Sequence, residues 1–81
     1  MKIIKCYYRR NLKMTSGKLA AQVGHVVANL TVNKIPERIV VLETSDLQFN
    51  EMKEKPRSYT QVDSGLTEID SGTETVVGWW E

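Results

Sequence analysis

The sequence predicts a small α/β domain, a three-layer sandwich in which a four-stranded mixed sheet carries helices on both faces. Two short runs rich in β-forming residues, 2–8 and 38–43, are separated by a stretch with helical periodicity. Two further runs, 58–63 and 73–80, follow a second helical segment and give the order β-α-β-α-β-β. The 81 residues suffice for one hydrophobic core, so we expect a single domain over residues 1–81.

The first strand and the first helix follow from two different periodicities. Residues 2–8 form an apolar and aromatic run typical of a central strand. After a polar, basic loop, Ser16 is the expected N-cap of a helix that runs from Gly17 to about Leu30. One face of this helix is apolar and consists of Leu19, Ala20, Val23, Val26, Val27 and Leu30. A second, polar stripe consists of Lys18, Gln22, His25 and Asn29.

The segment after this helix returns the chain to the sheet. Residues 31–37 contain Pro36 and are too short for another regular helix. Residues 38–43 indicate a second buried strand, which a right-handed crossover makes parallel to the first. Ser45 is the expected N-cap of a short helix over 46–54, with Leu47, Phe49 and Met52 on or near its buried side.

Two more strands complete the sheet. Pro56 prevents the second helix from continuing. Residues 58–63 alternate weakly, which predicts a strand with one wetter side, and residues 64–72 form a loop that contains two glycines. Residues 73–80 are the last strand.

The charges are divided unevenly along the chain. Residues 1–36 contain seven of the 11 basic residues and no acidic residue, whereas residues 37–81 contain all 10 acidic residues. Such a division suggests a half that faces a polyanion, and nucleic acid is the commonest polyanion in a cell. The alternative is that basic side chains are tolerated on any surface and that small chains show such divisions by chance.

Several classes of protein are excluded by composition. A single cysteine, Cys6, forms no internal disulfide, and a single histidine, His25, builds no Cys/His zinc site. No apolar run approaches the ~18 residues of a membrane span, and the amino terminus lacks a secretory apolar region. We therefore expect a metal-independent, cofactor-free protein of the cytoplasm with no membrane partner.

Two charged residues are candidates for chemistry. Lys18 lies in the first turn of the first helix, where the free amides attract anions, although a solvated lysine there is equally ordinary. Gly17-Lys18 does not belong to a phosphate-binding loop of the G-x-x-x-x-G-K-[ST] type. The position of the first glycine is occupied by Leu12, and Leu19 stands where the motif requires Ser or Thr. Asp63 ends the third strand, where a carboxylate orients a water or a lysine, or simply caps the turn.

Two segments resemble one known family. Residues 13–25, KMTSGKLAAQVGH, are similar to the K-M-x-x-G-K-x-A-A-Q-x-[SG]-H segment of the type 2 peptidyl-tRNA hydrolases. Residues 63–69, DSGLTEI, and 72–78, GTETVVG, resemble that family's D-A-G-x-T-x-I … G-T-x-T-x-x-[AG] ending. Residues 38–45 also look like the family's middle strand leading into a helix. The resemblance covers nearly the whole chain.

The resemblance implies hydrolysis of the ester between a peptide and the 3′ end of tRNA. Peptidyl-tRNA is then the substrate, and no metal or cofactor is needed. Matched position by position, the catalytic candidates are Lys18, which would stabilise the oxyanion, Asp63, which would orient water or hold Lys18, and Thr75. The residues expected to line the site or hold the tRNA end are Arg9, Lys13, Gln22, His25 and Thr67.

The chain also departs from the family. Asn11 stands where members carry Asp, and residues 31–37 replace an extra helix before the second strand. These losses favour an alternative, a non-catalytic tRNA- or protein-binding module derived from the same fold. A third reading is a hydrolase of other acyl esters or of D-aminoacyl-tRNA.

The carboxyl end is unlike the family's small, glycine-proline finish. Trp79 and Trp80 alternate faces on the last strand, so one packs beneath a helix and the other is expected to be exposed. An exposed tryptophan favours a homodimer contact or a base-stacking platform. Simple core filling in a small protein is the alternative.

Overall fold

The first half of the chain forms a strand, a helix and a parallel strand. The computed structural model describes residues 2–63 and 72–81. In this half, β1 (Ile3–Arg9) leads through α1 (Ser16–Leu30) to β2 (Arg38–Thr44). The N-cap of α1 is Thr15 rather than the expected Ser16, because the Thr15 hydroxyl accepts from the Lys18 amide.

The second half completes a mixed sheet. It contributes α2 (Asp46–Met52), β3 (Tyr59–Val62) and β4 (Glu74–Trp80), so the predicted order β-α-β-α-β-β is confirmed. The strand order across the sheet is β2-β1-β4-β3, in which β1 is central, as predicted. Strand β1 pairs in parallel with β2 and antiparallel with β4, and β3 pairs antiparallel with β4.

Each helix covers one face of the sheet, which gives the three predicted layers. On the α1 face, Val26 packs against Ile4, Cys6 and Val76, all fully buried. On the α2 face, Phe49 packs against Val77 and Trp79. Burial raises the pKa of the Cys6 thiol to about 11, so this side chain remains protonated at neutral pH.

The prediction that the second strand is buried is wrong. Strand β2 lies at the edge of the sheet, and α1 packs mainly over β4 and β3. Ile39 and Val41 are therefore exposed and line an open apolar groove beside α1. Leu47 is also exposed rather than buried, while Phe49 on the same helix has the expected burial.

The two tryptophans lie on opposite faces, as expected from their adjacent positions in β4. Trp79 is buried and stacks on Tyr7 with ring centroids 5.5 Å apart. Trp80 is half-buried instead of exposed, because its ring packs on the α1 side and its Nε1 donates to the Leu30 carbonyl at 2.7 Å. No helix in the described part of the chain is long and apolar enough to cross a bilayer.

Candidate functional site

The amino end of α1 meets the carboxyl end of β3 through an ion pair. The Lys18 ammonium donates to the Asp63 carboxylate, and the two side chains are only 10% and 1% exposed. Two backbone hydrogen bonds fix the aspartate: the Asp63 amide donates to the Thr73 carbonyl at 2.8 Å, and its carbonyl accepts from Gly72 at 2.9 Å. The backbone of Asp63 is therefore tied to that of Gly72 and Thr73.

Two buried polar side chains extend this pair into a connected chain. The Thr75 hydroxyl donates to Gln22 Oε1 at 2.6 Å, and Gln22 Nε2 donates to Asp63 Oδ1 at 3.4 Å. Gln22 is 4% exposed and Thr75 is fully buried. The hydroxyl has a single hydrogen, so the shorter bond to Gln22 is preferred over the 3.3 Å contact to the Gln61 carbonyl. The Lys18–Asp63–Gln22–Thr75 chain is thus satisfied from end to end.

An irregularity in the sheet aims Thr75 at Gln22. Val62 pairs with Glu74 and Gln61 pairs with Val76, so Thr75 is the additional residue on β4. Strict alternation would place Thr75 on the α2 face together with Val77. The extra residue turns it to the α1 face, which is the usual effect of a β-bulge.

Burial makes the Lys18–Asp63 pair costly to form. Taking two charges out of water carries a desolvation cost that their attraction offsets only with good geometry and further hydrogen bonds. Lys18 also lies against the positive end of the α1 dipole, and the first turn of α1 contains no acidic residue. Asp63 therefore supplies the negative charge that this turn lacks.

A second polar cluster lies on the α2 face, on the other side of β4. The Arg9 guanidinium donates to Asp46 at 2.9 Å and to the Glu74 carbonyl at 3.0 Å. The Asn11 amide donates to the other Asp46 oxygen at 3.0 Å. The hydrogen bonds from Arg9 and then from Asn11 hold the pKa of the Asp46 carboxyl below its usual value.

Replacing Asn11 with aspartate should therefore make stability depend differently on pH. In the native protein the low pKa of Asp46 gives stability that is present near neutral pH and lost as pH falls through that pKa. Asn11→Asp places a second carboxylate beside Asp46, so the melting temperature should fall most near pH 7, where both are ionised. Asn11→Ala removes only the hydrogen bond and is the control. We expect the melting temperature of Asn11→Asp to lie below that of Asn11→Ala at pH 7, and this difference to disappear near pH 3, where the carboxyls become protonated. Equal melting curves for the two variants at pH 7 would contradict this interpretation.

The structure brings together four of the predicted site residues and separates others. Lys18, Asp63, Gln22 and Thr75 are in direct contact, as described above. Arg9 points to the α2 face and is bound by Asp46. Lys13 and His25 are exposed, and Thr67 lies outside the described residues. Gln22 was expected to line the site, whereas its burial makes it the link between Thr75 and Asp63, which no feature of the sequence indicates.

Many of the basic residues in the first part of the chain form ion pairs with acidic residues of the second part. Four of the five ion pairs between described residues join a base of the first 36 residues to an acid of the remainder. These pairs are Lys5–Glu81, Arg9–Asp46, Arg10–Glu43 and Lys18–Asp63. The basic half of the sequence is therefore not by itself evidence of a surface for a polyanion.

Comparison with models of known protein families finds none that matches the chain. Within residues 2–63 and 72–81, no group of three or more His, Cys, Asp and Glu side chains is arranged to hold a metal ion.

Proposed function

We propose that this protein hydrolyses the ester bond that joins a peptide to the 3′ end of tRNA. The observation that carries the proposal is the meeting of two separated motifs. Lys18 and Gln22 belong to the segment 13–25, and Asp63 and Thr75 belong to the carboxyl-terminal segments that resemble type 2 peptidyl-tRNA hydrolases. The hydrogen bonds that join these four side chains across at least 41 positions of sequence support a shared task.

In the proposed reaction, water attacks the ester carbonyl carbon and the bond to the ribose oxygen breaks. A lysine ammonium has three protons, so Lys18 can donate to Asp63 and also to the carbonyl oxygen as negative charge develops there. Asp63, whose side chain is 1% exposed, acts by holding Lys18 in place, and a proton of the attacking water passes to the departing ribose oxygen. The products are a free peptide and a tRNA with its terminal hydroxyl restored, and the cytoplasm is the compartment in which this substrate arises.

Gln22 and Thr75 act in this scheme as positioning residues. Thr75 was predicted to be catalytic, but it is fully buried, so we assign its hydroxyl to holding the Gln22 amide in one orientation instead of contacting the ester. In that orientation the Gln22 Nε2 group points toward the Asp63 carboxylate and donates to it. The effect is to keep the carboxylate fixed before the substrate arrives.

The near-complete burial of the same residues favours a second candidate, a non-catalytic tRNA- or protein-binding module. A polar chain that stabilises only the fold would show the same contacts and the same 10% and 1% exposure of Lys18 and Asp63. Binding without cleavage is the property that separates the two.

The test is the release of a labelled N-acetyl-aminoacyl group from tRNA by the purified protein. We expect release that follows enzyme concentration and is unchanged by a metal chelator, with little cleavage of a small ester that lacks tRNA. tRNA binding without release would overturn the hydrolase and support the binding module. Cleavage of the small ester at the same rate as peptidyl-tRNA would assign the protein to a different class of esterase.

A further inference from the structure

The carboxyl end of β4 carries two indoles, each with a lysine over its ring. Lys34 lies 4.2 Å from the centroid of the Trp80 ring, and Lys55 lies 5.1 Å from that of Trp79. The Trp80 indole is fixed by its hydrogen bond to the Leu30 carbonyl. Its orientation is therefore set before any partner binds.

A cavity of about 470 Å³ opens beside these rings. It is lined by Lys34, Pro56, Arg57, Trp79 and Trp80. Arg57 has a φ of +66°, the left-handed conformation that non-glycine residues rarely adopt. Backbone strain of this kind is found disproportionately at ligand-binding positions, and here it lies at the wall of a cavity.

The charge of this cavity is positive. Its two charged lining residues, Lys34 and Arg57, are both cations, and neither takes part in an ion pair with another described residue. Glu81, at the end of the same strand, is paired with Lys5 at 3.0 Å, and its other carboxylate oxygen accepts from Trp79 Nε1 at 3.3 Å. Basic side chains next to a fixed aromatic ring suit a ligand that has both a planar face and negative charge.

We propose that this cavity, with Lys34, Arg57 and Trp80, binds single-stranded RNA. A base displaces Lys34 from the face of the Trp80 indole and stacks there, and the flanking phosphates are neutralised by the released Lys34 and by Arg57. The surface lies five residues along β4 from Thr75, roughly 17 Å in an extended strand, so it is separate from the Lys18–Asp63 site. Binding here does not depend on the proposed hydrolysis and is measured without an ester.

The stacking is tested with single-tryptophan variants and a ten-nucleotide oligouridylate. Trp79→Phe leaves Trp80 as the only indole, and its fluorescence should be strongly quenched by the oligonucleotide. Trp80→Phe leaves the buried Trp79, whose fluorescence should change little, and should weaken binding about tenfold. An absence of quenching in Trp79→Phe at saturating RNA, or stronger quenching of Trp79 than of Trp80, would overturn the proposal.

The phosphate contacts are tested by removing the charges. Lys34→Gln combined with Arg57→Gly removes two cations and relieves the left-handed backbone, so the fold should be retained. We expect affinity at 0.1 M salt to fall at least tenfold, and the salt dependence, log K against log [salt], to become shallower by about 1.4. Arg10→Gln, which removes an exposed cation near Glu43, is the matched control and should change affinity less than twofold. Equal losses in both variants, or concentration-dependent dimerisation that these changes abolish, would show that the surface serves another purpose.

Discussion

Replacing Lys18 with methionine or Asp63 with asparagine is expected to abolish ester cleavage and also to destabilise the fold. Each change leaves the partner as a buried charge without its counter-ion, which costs about 3–5 kcal/mol in comparable buried pairs. Because a domain of this size has a free energy of unfolding of only about 5–10 kcal/mol, either variant alone comes close to unfolding. Loss of activity in a single variant therefore does not separate chemistry from folding.

The double variant Lys18→Met with Asp63→Leu makes that separation. It removes both charges together, so its free energy of unfolding in urea should be higher than that of either single variant. Its cleavage of peptidyl-tRNA should nevertheless fall by at least ~10³-fold, because both the oxyanion donor and the carboxylate that holds it in place are gone. Lys18→Arg, which keeps the charge and the pairing, is the matched control and should retain more activity than the double variant. A stable double variant that cleaves at the native rate would refute the assignment of these two residues.

The helix α1 shows how far a sequence pattern predicts a site. Its 3.6-residue periodicity places Val26 in the core, and the observed burial confirms it. The same periodicity places Lys18 and Gln22 on one stripe. What it does not give is their depth, because Gln22 is buried only where β4 brings Thr75 to meet it.

The face of the sheet on which Thr75 lies depends on a β-bulge, which the local sequence pattern does not predict. Alternation along residues 73–80 predicts that Thr75 and Val77 share a face, whereas the additional residue at Thr75 turns it to the other face. The prediction that β2 is buried is wrong for a related reason. An apolar run is compatible with a central or an edge strand, and the strand order that places β2 at the edge is decided by long-range pairing.

Adding one methyl group at Gly78 is expected to be the most damaging small change in the core. A Cβ at this position would lie 2.6 Å from Val26 Cγ1, 3.0 Å from the Lys5 carbonyl oxygen and 3.1 Å from the Cys6 sulfur. The absence of a side chain lets α1 pack closely on β4, so Gly78→Ala forces the helix and the sheet apart. Overpacking of this kind costs about 1–3 kcal/mol, and the fixed backbone oxygen places this site toward the upper end.

Two further substitutions serve as a control and as a partial rescue of Gly78→Ala. A Cβ at Gly24, on the exposed side of α1, meets nothing within 4 Å, so Gly24→Ala should stabilise the protein by up to about 1 kcal/mol through helix propensity. Val26→Ala removes the closest clash, so in urea unfolding its combination with Gly78→Ala should cost about 1 kcal/mol less than the sum of the two. The Lys5 carbonyl remains in place, which is why the rescue should be incomplete. If the two losses in the free energy of unfolding were strictly additive, the helix would have to shift freely over the sheet. The contact between Gly78 and Val26 would then not determine the distance at which α1 holds Lys18 and Gln22 from Asp63.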